Sequence, residues 1–134
     1  LQAISAVFDS PATLDRLCAI SGGHVRNLLV LLRNCLRKED PPLSRTCLES
    51  VIKRRCHDLI RAISDDEWEL LNQVAKHKIL RGEEESQILL RSLFVFEYQY
   101  HGERWFDINP VLTEAEKFKA TSRLNLGQRI FGKE

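Results

Sequence analysis

The sequence predicts a mainly α fold, in which a small helical bundle is followed by further helices that end in a two-stranded β-hairpin. Three observations carry this. Apolar residues recur at three- and four-residue spacing through most of the chain before Leu93. Serine helix-start signals stand at Ser10-Pro11, Ser44 and Ser64. At Leu93 the period changes to two in LFVFEYQY, and His101-Gly102 then leads into a second extended run, ERWFDI.

Taken in order, residues 1–9 show no clear period. Ser10 caps a first helix with Pro11 at its first position, and Leu14, Leu17, Cys18 and Ile20 form its apolar side. Gly22 or Gly23 closes it in a left-handed conformation. A second helix runs from about His24 to Lys38, with Val25, Leu28, Leu29, Leu32, Cys35 and Leu36 as a core-facing stripe. Arg33, Arg37 and Lys38 suit its C-terminal end, and Glu39 to Pro42 stop it. Ser44 caps a third helix carrying Cys47, Leu48, Val51, Ile52, Cys56, Leu59, Ile60 and Ile63 inward. Its outer face carries Lys53, Arg54, Arg55 and Arg61. Ser64 to Glu67 reads as a capping box opening a fourth helix on Trp68, Leu71, Val74 and Ala75. A fifth spans about Glu83 to Leu93. In the hairpin, Phe94, Phe96, Tyr98 and Tyr100 share one face, with Phe106 opposite or diagonal. Thr113 to Glu116 marks a last short helix.

Helices followed by a hairpin from about Ser64 to Pro110 make a winged-helix order, which needs three helices before the wing. Two follow Ser64; the third has to come from the end of the Ser44 helix or from a split of 64–80. The division is therefore 1–62 as a helical bundle, 63–118 as a winged-helix domain and 119–134 as a tail or docking segment.

Composition bounds the function. With 134 residues, 43% apolar and 29% charged, the chain can bury a core. A net charge of +1 excludes a general polyanion binder, so a nucleic-acid site has to be local. The longest apolar run, Leu28 to Leu32, cannot span a membrane. Cys18, Cys35, Cys47 and Cys56 form no C-x-x-C pair and read as buried free thiols in a reducing cytoplasm. Cys56 and His57 point to different sides of a helix, so they make a poor zinc pair. No metal site is expected. Methionine is absent, and the sequence is read as a piece of a longer protein.

Self-contained catalytic chemistry is missing from the pattern. No G-x-x-x-x-G-K-[ST] loop, G-x-S-x-G elbow or H-E-x-x-H pair occurs. The acidic triplets Asp65-Asp66-Glu67 and Glu83-Glu84-Glu85 suit helix first turns. His24, His57, His77 and His101 read as surface or turn residues.

One position resists this bland account. In SGGHVRNLLVLLRN, Arg26 falls in a helix first turn, where the dipole disfavours a cation. The run LDRLCAISGGHVRNLLVLLRNCLRK resembles the C-terminal lid of AAA+ P-loop ATPases, over about residues 11–62. In that family a small-residue turn precedes the "sensor 2" arginine, which reaches the nucleotide phosphates; here the matching residues are Gly22, Gly23 and Arg26. ILLRSLFVFEYQYHGERWFDINPVL is similar to the winged-helix module following the lid in some bacterial ATPases. The resemblance implies a non-catalytic regulatory fragment whose partner is the missing ATPase core, with ATP and magnesium bound in the parent protein and no cofactor in this piece.

For the wing, three carboxylates from Glu83 favour protein contact over DNA. Tyr98 and Tyr100 near the turn, with Arg104, are the candidate partner surface. Lys53, Arg54 and Arg55 are the competing nucleic-acid candidates, and their plain reading is a solvated helix face. The alternative function is a winged-helix DNA-binding regulator.

Overall fold

The computed structural model of the chain describes residues 2–80 and 84–115. It is mainly helical with one antiparallel hairpin. The order is α1 Gln2–Val7, α2 Pro11–Ser21, α3 Val25–Lys38, α4 Arg45–Arg61, α5 Asp65–His77 and α6 Glu84–Arg91. Then come β1 Val95–Tyr100, β2 Glu103–Ile108 and a 3₁₀ turn, Pro110–Glu114.

The serine signals behave as their chemistry demands. Ser10 Oγ accepts from the Thr13 N–H, and Ser44 Oγ from that of Cys47. Both halves of the Ser64–Glu67 capping box form. His101 and Gly102 both have positive φ, 48° and 81°, the twist that a two-residue hairpin requires.

One apolar core joins every helix after α1 to the hairpin. Leu17 and Ile20 of α2, Leu31 and Cys35 of α3, and Leu48, Val51 and Ile52 of α4 belong to it. So do Trp68, Leu71 and Val74 of α5, Leu89 of α6, Val95, Phe106 and Ile108 of the strands, and Val111 and Leu112 of the 3₁₀ turn. The bundle and the hairpin thus share buried surface.

Several expectations need correction. Residues 2–7 are helical despite their weak pattern, and the chain after them is held by Leu43: the Leu43 N–H donates to the Val7 carbonyl at 2.6 Å, and the Asp9 N–H to the Leu43 carbonyl at 2.9 Å. The last turn begins at Asn109-Pro110, because the Asn109 side chain accepts from the Val111 N–H and supplies the cap. Thr113 lies inside that turn, and Glu116 is outside the described residues. Of the two predicted routes to a third helix before the wing, the split of 64–80 does not occur, since α5 is continuous from Asp65 to His77; the end of α4, which runs unbroken to Arg61, is the other. Past α5, the Phe106 N–H donates to the Lys78 carbonyl at 2.9 Å, laying that connection along β2. Of the cysteines, Cys18 is exposed, while Cys35, Cys47 and Cys56 are buried; all are free. The tail, 119–134, and Glu83 lie outside the described residues.

Pairing register corrects the aromatic face as well. Tyr98 pairs with Trp105 and Glu97 with Phe106. Cross-strand partners share a face, so Phe106 sits with Val95 and Ile108, and Trp105 lies beside Tyr98.

Candidate functional site at the start of α3

The site is built where the α2–α3 turn meets the hairpin. α2 ends on Gly22 in the left-handed region, φ 69°, and Gly23 follows at φ 72°. Their reasons differ. A Cβ on Gly22 would stand 2.9 Å from Pro110 Cδ and 2.9 Å from the Tyr98 hydroxyl; one on Gly23 would meet nothing within 4 Å. Gly22 is therefore required by packing and backbone together, and Gly23 by backbone alone. The Gly22 carbonyl accepts from the Tyr98 hydroxyl at 2.7 Å. His24 then caps α3, its Nδ1 accepting from the Asn27 N–H, and its ring stacks on Phe96 at 4.3 Å.

Below the turn lies a buried amide pair. Asn27 Nδ2 donates to the Ser21 carbonyl at 3.1 Å and to Asn109 Oδ1 at 3.2 Å. Asn109 Nδ2 donates to Asn27 Oδ1 at 3.3 Å and to the Leu93 carbonyl at 2.9 Å. Both asparagines are fully buried. Sequence reading passed over them. The signal was a polar residue heading the spacing Asn27, Leu31, Cys35, since a buried amide needs a buried partner.

These ties set the rotation of α3, and the rotation differs from the predicted one. The buried line is Asn27, Leu31 and Cys35, with Leu28 and Leu32 partly covered. Val25, Leu29 and Leu36, expected in the core, are 68%, 56% and 47% exposed. Arg26, Arg33 and Arg37 are exposed as well. At roughly 100° per residue, all six fall within about a third of the helix circumference. The face therefore combines three large apolar side chains with three guanidinium groups. Among the described residues none of these arginines forms an ion pair, and Asp15 does not reach Arg26.

The remaining candidates separate in space. Lys53, Arg54 and Arg55 fan out around α4, because adjacent helical residues diverge by roughly 100°. Lys53 lines a cleft of about 670 Å³ with His57, Arg61 and Glu114. Arg54 pairs with Asp58 at 3.5 Å. Arg55 is half-buried, and its Nε is buried with no hydrogen-bond partner among the described residues. The three do not form one basic patch. At the hairpin, Tyr100 is 66% exposed, with an edge-on contact to His101. Tyr98, expected at the surface with it, is half-buried: it stacks on Trp105 and spends its hydroxyl on Gly22. Burial raises the Tyr98 hydroxyl pKa, and Asp107 adds to the rise. Arg104 pairs with Glu97 at 3.3 Å and lies over the Phe106 ring.

Comparison with protein-family models, with curated proteins and with solved structures returns no match in any of the three. Among the described residues no group of three or more His, Cys, Asp or Glu side chains is placed to hold a metal ion. None of the described helices is long and apolar enough to cross a membrane.

Proposed function

We propose that this chain is the lid and wing of an AAA+-type ATPase, a non-catalytic piece that seats on the parent's nucleotide-binding core. The observation that carries this reading is the outer face of α3, where Val25, Leu29 and Leu36 are exposed beside Arg26, Arg33 and Arg37, which form no ion pair among the described residues. Scattered exposed apolar residues need no explanation, but an apolar stripe along one helix, bordered by arginines, suits a protein surface. Arg26 stands in the first turn of α3, next to backbone N–H groups that lack intrahelical partners. An anion there meets both the guanidinium and the helix N-terminus, so a nucleotide phosphate fits the position. In this reading the parent's core holds magnesium, and this chain supplies only the arginine.

The wing is tied to the same turn by Tyr98, His24 and the Asn27–Asn109 pair. A shift of α3 on its nucleotide therefore moves the hairpin with it, and Tyr100 at the hairpin end is the side chain we assign to partner contact. The DNA-binding alternative draws less support, because Lys53, Arg54 and Arg55 point three ways and Arg104 is already paired.

The test is ATP hydrolysis by the full-length gene product, wild type against Arg26→Ala. The expected result is a loss of turnover on the order of tenfold or more, with the unfolding midpoint unchanged. Unchanged turnover, or a full-length protein without an ATPase core, overturns the reading.

A further inference from the structure

The cleft beside α4 has no part in the lid reading. It holds about 670 Å³ and lies between α4 and the end of the 3₁₀ turn, where Glu114 and Ala115 form its far wall. Ile52, Cys56 and Ile60 follow one another along it at four-residue steps, the first two buried and Ile60 half-buried. Residues four apart share a helix face, so the three make one apolar row. Lys53, His57 and Arg61 repeat the step one residue on, and all three are exposed. They make a basic row alongside the apolar one, about 12 Å long at 1.5 Å per residue.

The carboxylates nearby are already engaged. Glu49 accepts from Arg16 and from Arg45, each at 2.8 Å, and Glu114 accepts from Arg16 at 2.8 Å. Asp58 pairs with Arg54 at 3.5 Å. Among the described residues, the side chains of Lys53, His57 and Arg61 form no ion pair. We propose that this cleft is a docking groove for an acidic amphipathic helix of a partner protein. The occupant has to bring apolar side chains to Ile52, Cys56 and Ile60 and carboxylates to the basic row. A single carboxylate would match one basic group and leave the others. Carboxylates four residues apart on a helix stand about 6 Å apart, the same step as the basic row, and a helix laid along α4 presents them in register. Charge selects against the chain's own residues 116–134, which carry five Lys and Arg against two Glu. The apolar row selects against nucleic acid, whose backbone needs cations and offers nothing to Ile52 and Ile60. The proposal is independent of the lid reading, which concerns the outer face of α3.

The probe is a fluorescein-labelled peptide of about 15 residues, with glutamate at every fourth position and leucine beside each, titrated into the 134-residue chain. Anisotropy gives the affinity, and backbone amide NMR signals give the place. The expected result is one site, with the signals of Lys53, His57, Ile60, Arg61 and Ala115 moving and those of Leu29 and Arg33 still. Lys53→Glu and Arg61→Glu, both at exposed positions without ion pairs, each weaken binding roughly tenfold, while Arg54→Glu and Arg33→Glu change it less than about twofold. Replacing the peptide's leucines by serine, or its glutamates by glutamine, also weakens it roughly tenfold. Four results overturn the proposal. Absence of binding does so, as does movement of Leu29 and Arg33, which places the peptide on α3. Equal weakening by Arg54→Glu shows general charge at work. A serine peptide that binds as well as the leucine one, or a single-stranded oligonucleotide that binds the cleft more tightly, shows a polyanion site with no use for the apolar row.

Discussion

Asn109→Ala tests whether the hairpin is locked to the α2–α3 turn. The Asn109 side chain accepts from Asn27 Nδ2 at 3.2 Å and from the Val111 N–H at 3.0 Å. It donates to Asn27 Oδ1 at 3.3 Å and to the Leu93 carbonyl at 2.9 Å. Its orientation is set by chemistry, since one backbone donor and one backbone acceptor flank it. Truncation strands three buried groups: the Val111 N–H, the Leu93 carbonyl and Asn27 Oδ1. Asn27 Nδ2 keeps the Ser21 carbonyl at 3.1 Å. At about 1 kcal/mol for each stranded group, plus a small cavity, the loss is about 3–4 kcal/mol. Against a total stability of about 5–15 kcal/mol this is a large fraction. With a urea slope of about 1–2 kcal/mol/M, the midpoint falls by about 2 M. The assay is urea unfolding of wild type, Asn109→Ala, Asn27→Ala and the double variant, followed by tryptophan fluorescence. The two asparagines share two hydrogen bonds, so the cycle should return a coupling of about 1–2 kcal/mol. A cost below about 1 kcal/mol for Asn109→Ala, or a coupling near zero, refutes the argument that this pair sets the turn.

Three further outcomes follow from the same geometry. Gly23→Ala should cost about 1 kcal/mol from its left-handed backbone, and Gly22→Ala clearly more because of its 2.9 Å approaches; equal shifts in thermal midpoint would show that Pro110 and Tyr98 move aside freely. Arg16 donates to Glu49 at 2.8 Å and to Glu114 at 2.8 Å, and the first of these bonds, aided by Arg45, holds the Glu49 carboxyl below its ordinary 4.5. The contribution of Glu49 is therefore complete above about pH 4.5 and is lost as pH falls through the lower folded value, so Arg16→Met should flatten the acid side of a stability–pH profile; an unchanged acid limb counts against the pairing. Of four thiols only Cys18 is exposed, and burial followed by the nearby Cys47 pushes Cys35 up to about 11. Ellman's reagent at pH 8 should label one thiol quickly and the other three at the rate of opening; two fast thiols would contradict the packing.

Much of the fold was legible because its signals are local. A serine oxygen finds the N–H three residues on whatever else the chain does, so Ser10, Ser44 and Ser64 announced their helices. His101-Gly102 announced the hairpin for the same reason. Arg26 was singled out from its place in a first turn, and the structure leaves it exposed and without an ion pair among the described residues. The apolar face beside it was not legible. Helix α3 is apolar around most of its circumference, so spacing alone did not say which side is covered. Tyr98 was misplaced because alternation gives the face of a side chain, while its depth depends on what packs over the strand.

By itself the sequence determined the helical class, the serine caps, the hairpin and its turn, and the absence of a phosphate-cradling loop. Each depends on contacts within a few residues, or on residue types alone. Tertiary structure decided the rotation of α3, the inward turn of Tyr98 and the half-burial of Arg55. Each of these depends on a partner far along the chain: Asn109 lies 82 residues from Asn27, and Gly22 lies 76 from Tyr98. A helix with apolar residues on nearly every side turns to whichever face leaves no buried polar group unpaired, and here the Asn27–Asn109 pair makes that choice.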